Sequence, residues 1–320
     1  MYPHAPILPR AAMAGLIVTD LDGTLLDRRG RVSPRNRAAL AAARAAGWHV
    51  AIATGRTWRE SHRATDCVAE DALFIGAGGA SLHEAGSGRT IATMTVDARD
   101  ALDLAHAIIG HGHRAHVLVD PDRAGHDYFF VGTAELDAAT RWWLAEHPIS
   151  SRDWEAAPED ALTHLEGAVL RVGTIGIDDG IAPVARDIEA RWGTRLAVRH
   201  WSALTAEEAI GSRTHMLEVF SPRADKWDMA CEAARRLGIA DRPIVALGDG
   251  LNDLGLVRNA SIGVAMANAD PRIAEVARAH TAAHDEDGVA VAVEALLEGR
   301  LVPGWDARAA GAGRAGGRRP

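Results

Sequence analysis

Residues 16–27 read LIVTDLDGTLLD: an apolar run that ends in two aspartates one residue apart, Asp20 and Asp22, with Gly23 directly after. A short apolar run bounded by a turn signal reads as a buried strand, Leu16–Thr19. Asp22-Gly23 alone is an ordinary turn dipeptide. A turn does not explain Asp20, which still lies within the strand pattern. Side chains at i and i+2 of a strand share a face, which predicts that both acids point the same way. Two carboxylates about 4 Å apart repel by roughly 4 kcal/mol at an effective dielectric of about 20. A cation, a shared proton or open water has to relieve that.

Outward from this strand the chain alternates. Ser33-Pro34 reads as an N-cap with proline at the first helical position, and the helix runs to a stop at Gly47. His49–Ala53 is a second strand, Thr57 to Val68 a second helix, and Ala72–Ile75 a third strand before Gly76-Ala77-Gly78-Gly79. A βαβαβ order implies a parallel sheet with right-handed crossovers. From Ser81 to Gly211 the pattern changes to short strands mixed with helices, and Met216–Phe220 reads as the strand that re-enters the core. The first pattern then returns, with a helix at Asp225–Leu237, strands at Ile244–Leu247 and Ile262–Ala265, and helices at Asp253–Arg258, Pro271–Ala277 and Val289–Glu298.

The expected fold class is therefore α/β, a Rossmann-like parallel-sheet core with an inserted α+β cap. The expected domains are a discontinuous core at 14–81 and 212–302 and a cap at 82–211. A disordered N-terminal extension at 1–13 and a disordered Gly/Arg tail at 303–320 flank them. The extension does not read as a signal peptide, and Met13 offers an alternative start.

Composition sets limits. A net charge of −8 over 320 residues gives no global case for nucleic-acid binding, and no apolar stretch approaches the ~18 residues of a membrane span. Cys67 and Cys231 are far apart and read as reduced packing residues of a cytoplasmic protein. His111, His113 and His116 have no zinc-type spacing, and GAGG at 76–79 lacks the third glycine of a dinucleotide fingerprint.

In open parallel sheets ligands bind beyond the carboxyl ends of the strands, and these ends carry chemistry. The first gives Asp20 and Asp22. The second gives Thr54-Gly55-Arg56, a hydroxyl and backbone donors at a helix start, suited to phosphate; alone, Thr54 reads as an N-cap. A later end gives Asp249, Asn252 and Asp253, where four-residue spacing lets two acids share a helical face. Lys226 opens the helix before it and alone reads as a surface lysine. Together they converge on one sheet edge. Oxygen-only ligands suit Mg²⁺, and a carboxylate can attack phosphorus to form an aspartyl-phosphate.

These residues resemble the haloacid dehalogenase superfamily of phosphohydrolases, most closely its Cof-type branch with an inserted α/β cap. DLDGTLL at the start, ATGR at 53–56, Lys226 at a helix start and GDGLNDLGLV at 248–257 carry the resemblance, with GVAMANAD at 263–270 and DEDGVA at 285–290 in support. The resemblance implies Asp20 as nucleophile and Asp22 as general acid/base. It implies a Mg²⁺ site of Asp20, the Asp22 carbonyl and Asp249, with Asp253 holding or bracing a metal water. It implies phosphoryl binding by Thr54, Gly55, Lys226 and Asn252, together with Leu21 between the acids. Gly78 stands where that family usually has Asn, and Trp227 where it has a small residue. The expected function is a Mg²⁺-dependent phosphomonoester hydrolase for a small phosphorylated metabolite. A sugar-phosphate mutase on the same scaffold and a non-catalytic phospho-ligand sensor are the alternatives.

Overall fold

The computed structural model describes residues 14–68, 71–136, 138–147, 149–154, 165–202 and 214–307. The expected extension at 1–13 and most of the expected tail lie outside them. The chain divides into two compact units. One takes in the residues through Gly79, His83–Gly88 and those from Asp225 onward; the other comprises Ala80–Leu82 and Arg89–Ala224.

The first unit begins with β1 (Leu16–Thr19), α1 (Pro34–Ala45), β2 (His49–Ala53), α2 (Trp58–Thr65) and β3 (Leu73–Gly76). Local chemistry sets the boundaries. The Ser33 Oγ accepts from the Asn36 N–H at 3.1 Å and Pro34 follows it, while Gly47 takes φ 91° after the helix. Thr57 and Glu60 form a reciprocal capping box at the start of α2. After β4 (Ser81–Glu84) and the intervening unit, the chain returns through α7 (Lys226–Arg236), β12 (Ile244–Gly248), α8 (Leu254–Asn259), β13 (Ile262–Ala265), α9 (Pro271–Val276), β14 (Ala279–His280) and α10 (Gly288–Leu297).

The strands of the first unit run in the order β14-β13-β12-β1-β2-β3, all parallel. Residues 16–19 are fully buried because helices cover both faces of a parallel sheet. On one face Ile17, Val50, Ile52, Val245, Leu247 and Val264 pack with Leu40 of α1 and Val293 of α10. β1 lies between β12 and β2, with Thr19 level with Leu247 and Ile52. The chain segments that follow these strands therefore start side by side.

The second unit contains β5 (Thr90–Thr93), α3 (Ala98–Gly110), β6 (Ala115–Val119), α4 (Pro121–Ala124), β7 (Tyr128–Val131), α5 (Ala138–Glu146), β8 (Ser151–Trp154), β9 (Val169–Ile177), α6 (Asp178–Trp192), β10 (Ala197–Ser202) and β11 (Thr214–Phe220). Its sheet has the order β10-β11-β9-β6-β7-β8. Leu104, Ile108, Ile188 and Trp192 of its helices pack on Val117, Val172 and Val219 of that sheet.

Three readings change. The strand at 214–220 does not re-enter the first sheet: β11 pairs antiparallel with β9 and β10. Its apolar residues establish that it is buried, but not against which neighbours. The expected tail from 303 is ordered at its start, where Trp305 packs on the core of the first unit and its carbonyl accepts from His280 N–H at 2.9 Å. β8 was not expected, because the polar sequence SRDW at a sheet edge buries neither face and shows no alternation.

Candidate active site

The β1 pattern stops at Thr19. The Asp20 N–H still donates to the Leu247 carbonyl at 2.9 Å, and the chain then turns, closed by Leu26 N–H to the Leu21 carbonyl at 2.9 Å. Gly23 supplies the φ of 76° that the turn requires. This turn separates the two acids. Asp20 is buried, whereas Asp22 is half exposed and held by Arg56, whose Nε reaches Oδ2 at 2.8 Å and whose Nη2 reaches Oδ1 at 2.5 Å. The expectation that Asp20 and Asp22 point the same way therefore fails, since strand alternation does not extend through the turn. The acids facing Asp20 are Asp253 and Asp249.

Lys226 is the centre of the site. Its side chain is 1% exposed, and Nζ donates to Asp20 Oδ1 and to Asp253 Oδ1, each at 2.6 Å. Asp225 caps α7 by accepting from the Trp227 N–H at 2.7 Å. Gly79 lets that helix start come close: a Cβ there would lie 2.3 Å from the Asp225 carbonyl carbon. Trp227 is half-buried and leaves the Lys226 contacts intact. Gly78 has φ 65°, a conformation that Asn also tolerates, so the two residue types meet the same backbone need.

At the end of β12, Asp253 is fully buried and its Oδ2 accepts from the Asp249 and Gly250 N–H groups, both at 3.1 Å. Both of its oxygens are thus engaged, which suits a brace better than a direct ligand. Asp249 accepts from the Thr24 hydroxyl at 2.7 Å through Oδ1. Asp20, Asp249 and Asp253 can each present an oxygen within 4.8 Å of the others, and they form the one such group of three among the described residues.

The remaining expected residues are distributed as follows. Thr54 is buried, with its Oγ1 accepting from the Arg56 N–H at 3.2 Å, so its hydroxyl proton is left for another acceptor. Gly55 is exposed, and no atom lies within 4 Å of where its Cβ would be. Asn252 is exposed in the turn after β12. The Leu21 side chain is fully buried in the core, so only its peptide group can meet a ligand. Of the three histidines at 111–116, His116 packs edge-on against Phe130 and His111 lies 3.3 Å from Asp187; they form no ligand set.

Burial and the neighbouring Asp253 hold the Asp20 carboxyl well above the usual range, against the pull of Lys226. Burial likewise pushes Asp249 up to about 6, opposed by the Thr24 hydrogen bond and reinforced by Asp253. Burial alone would lower Lys226, but Asp20 and Asp253 outweigh it and hold the ammonium above its ordinary value. With three carboxylates and one ammonium, the cluster is short of positive charge. Its oxygen-only donor set fits a hard divalent cation.

Three residues were not assigned from sequence: Arg56 on Asp22, Thr24 on Asp249, and Asn268, whose Nδ2 donates to the Gly23 carbonyl at 2.8 Å. All three lie inside recognised motifs, but nothing in a motif says which neighbour a side chain meets.

Comparison with known proteins shows the family. The family model described as haloacid dehalogenase-like hydrolase matches residues 17–293. Phosphatase YwpJ of Bacillus subtilis is 29% identical over 293 residues, covering 88% of this chain and 99% of its own. The 5-amino-6-(5-phospho-D-ribitylamino)uracil phosphatase YwtE of the same organism is 26% identical, covering 89% and 98%. A crystal structure of a haloacid dehalogenase-like hydrolase from Bacteroides thetaiotaomicron superposes with a TM-score of 0.69 at 23% identity, covering 88% and 99%. The chain belongs to the haloacid dehalogenase-like hydrolases, in their Cof-type branch, and is a phosphatase.

Proposed function

We propose that the protein is a Mg²⁺-dependent phosphomonoester hydrolase that acts on a small phosphorylated metabolite through an aspartyl-phosphate on Asp20. The observation that carries this reading is the buried Asp20. One of its oxygens is fixed by Lys226, and the other accepts no hydrogen bond among the described residues. That second oxygen is the nucleophile. It forms the bond to phosphorus as the bond to the leaving oxygen breaks, and Asp22 gives that oxygen its proton. Asp22 then takes a proton from the water that hydrolyses the acyl phosphate. Thr54, Gly55, Lys226 and Asn252 neutralise and orient the phosphoryl oxygens, consistent with a reaction governed by positioning and charge.

Asp20, Asp249 and the Asp22 carbonyl would hold Mg²⁺, with Asp253 bracing the arrangement; the ion would supply further positive charge opposite the phosphoryl group. These residues can read only a phosphoryl group. We assign selection of the rest of the substrate to the inserted segment, expected at 82–211 and reaching Ala224 in the structure. YwtE, by its name, acts on a phosphorylated ribitylaminouracil, which supports a substrate of metabolite size. No helix among the described residues is long and apolar enough to cross a membrane, and we place the enzyme in the cytoplasm.

The test is phosphate release from a panel of phosphorylated metabolites, with Mg²⁺ and with EDTA, for the wild type and Asp20→Asn. Release that requires both Mg²⁺ and Asp20 is the expected result. Activity retained in a folded Asp20→Asn protein removes the nucleophile assignment.

A further inference from the structure

Asn268 lies in the loop between β13 and α9, in the stretch MANAD. It is exposed, yet both ends of its amide are engaged. Nδ2 donates to the Gly23 carbonyl at 2.8 Å and lies 3.5 Å from Asp249 Oδ2, while Oδ1 accepts from the His284 N–H at 3.0 Å. The partners fix the amide orientation, because only the oxygen can meet an N–H and only the nitrogen a carbonyl. Gly23 and Asp249 themselves touch: a Cβ on Gly23 would lie 2.4 Å from Asp249 Oδ2. The turn that carries Asp20 and Asp22 therefore meets the segment that carries Asp249 at one point, and Asn268 spans that point. Thr24 holds the other Asp249 oxygen. His284 closes the strap, its Nδ1 lying 2.8 Å from the Leu26 carbonyl at the far end of the same turn.

We infer that Asn268 is a positioning residue for the cation site: it holds Asp249 in register with the Asp20–Gly23 turn, so that oxygens from the two segments are presented to one ion. The inference rests on the metal reading above. Groups that orient ligands from outside typically contribute about 10–100-fold to metal affinity. Since Asn268 is exposed, its removal should cost affinity without costing the fold.

The experiment is calorimetric titration of the full-length, metal-stripped protein with Mg²⁺ for the wild type, Asn268→Ala and Asn268→Leu, the latter keeping the volume without the hydrogen bonds. Melting without Mg²⁺ and turnover across a Mg²⁺ series accompany it. Both variants should show a Kd for Mg²⁺ raised about tenfold or more. Their melting without Mg²⁺ should be unchanged, and kcat at saturating Mg²⁺ should stay near wild type. A wild-type Kd in either variant overturns the inference and leaves the proposed function intact. So does a loss of kcat that saturating Mg²⁺ does not restore, or a drop in melting without the metal, since either would make Asn268 a loop fastener only. A wild-type protein that binds no Mg²⁺ overturns this inference and the metal reading together.

Discussion

Replacing Lys226 with methionine keeps most of the side-chain volume and removes the charge. In the native structure the ammonium is 1% exposed and sits 2.6 Å from each of two buried carboxylates, whose side chains are 6% and 0% exposed. Without it, Asp20 and Asp253 face each other with no counter-charge. Breaking a buried pair by deleting one partner typically costs about 3–5 kcal/mol. At roughly 2–4 °C per kcal/mol for a unit of this size, the melting temperature should fall by about 6–20 °C near neutral pH. The pH dependence has a definite sign. Asp20 is already held above its unfolded value, and without Lys226 it rises further. A carboxyl with a raised folded pKa binds more protons in the folded state, so stability is lost as pH rises from about 4 through the folded value. Protons can replace the ammonium at low pH, so the deficit of Lys226→Met should be smaller at pH 5 than at pH 7.5. Urea melts of both proteins at the two pH values, without divalent ions, measure it. A deficit below about 1 kcal/mol at pH 7.5, within the range of an exposed ion pair, would refute the buried-cluster reasoning. A deficit that grows on acidification would refute the assigned sign.

Two further outcomes follow from the same geometry. The Asp249 carboxyl is pushed up to about 6, chiefly by burial, so a cation must displace a proton there in acid. Calorimetric Mg²⁺ affinity should fall by at least about tenfold between pH 7.5 and pH 5, where such a carboxyl is roughly nine-tenths protonated; a flat profile would remove Asp249 from the ligand set. Arg56 grips Asp22 through two parallel hydrogen bonds, a geometry that lysine cannot reproduce. Arg56→Lys should therefore reduce kcat about tenfold or more for alkyl phosphates, whose leaving oxygen needs a proton, and less for an aryl phosphate with a stable leaving group. Equal losses on both substrates would show that Arg56 does not act through Asp22.

Much of the first unit could be read from its residues because local signals agree there. The run LIVT, the Ser33-Pro34 cap and the glycine at 47 each act within a few residues of themselves, and the elements at 16–19, 49–53 and 262–265 match the expected bounds. The unit between them was harder to read. Its edge strand SRDW carries no alternation, and β11 is apolar enough to fit either sheet. Trp305, set in a Gly- and Arg-rich context, gave no sign that it packs on the core, because that contact is made with residues distant in sequence.

For the site, the residue order shows which chemistry is present: acids, a hydroxyl and an amide at the ends of parallel strands, and a lysine at a helix start. Parallel pairing then forces those ends to one edge. Which charges meet depends on how the chain packs. The turn after Asp20 sends Asp22 to Arg56 instead of leaving the two acids pointing the same way, and Lys226 comes to rest between Asp20 and Asp253, which lie 206 and 27 residues from it along the chain. The reason is physical. Backbone propensity and hydrophobic period act over a few residues, whereas the energy of a buried charge depends on whichever groups packing brings within about 4 Å of it.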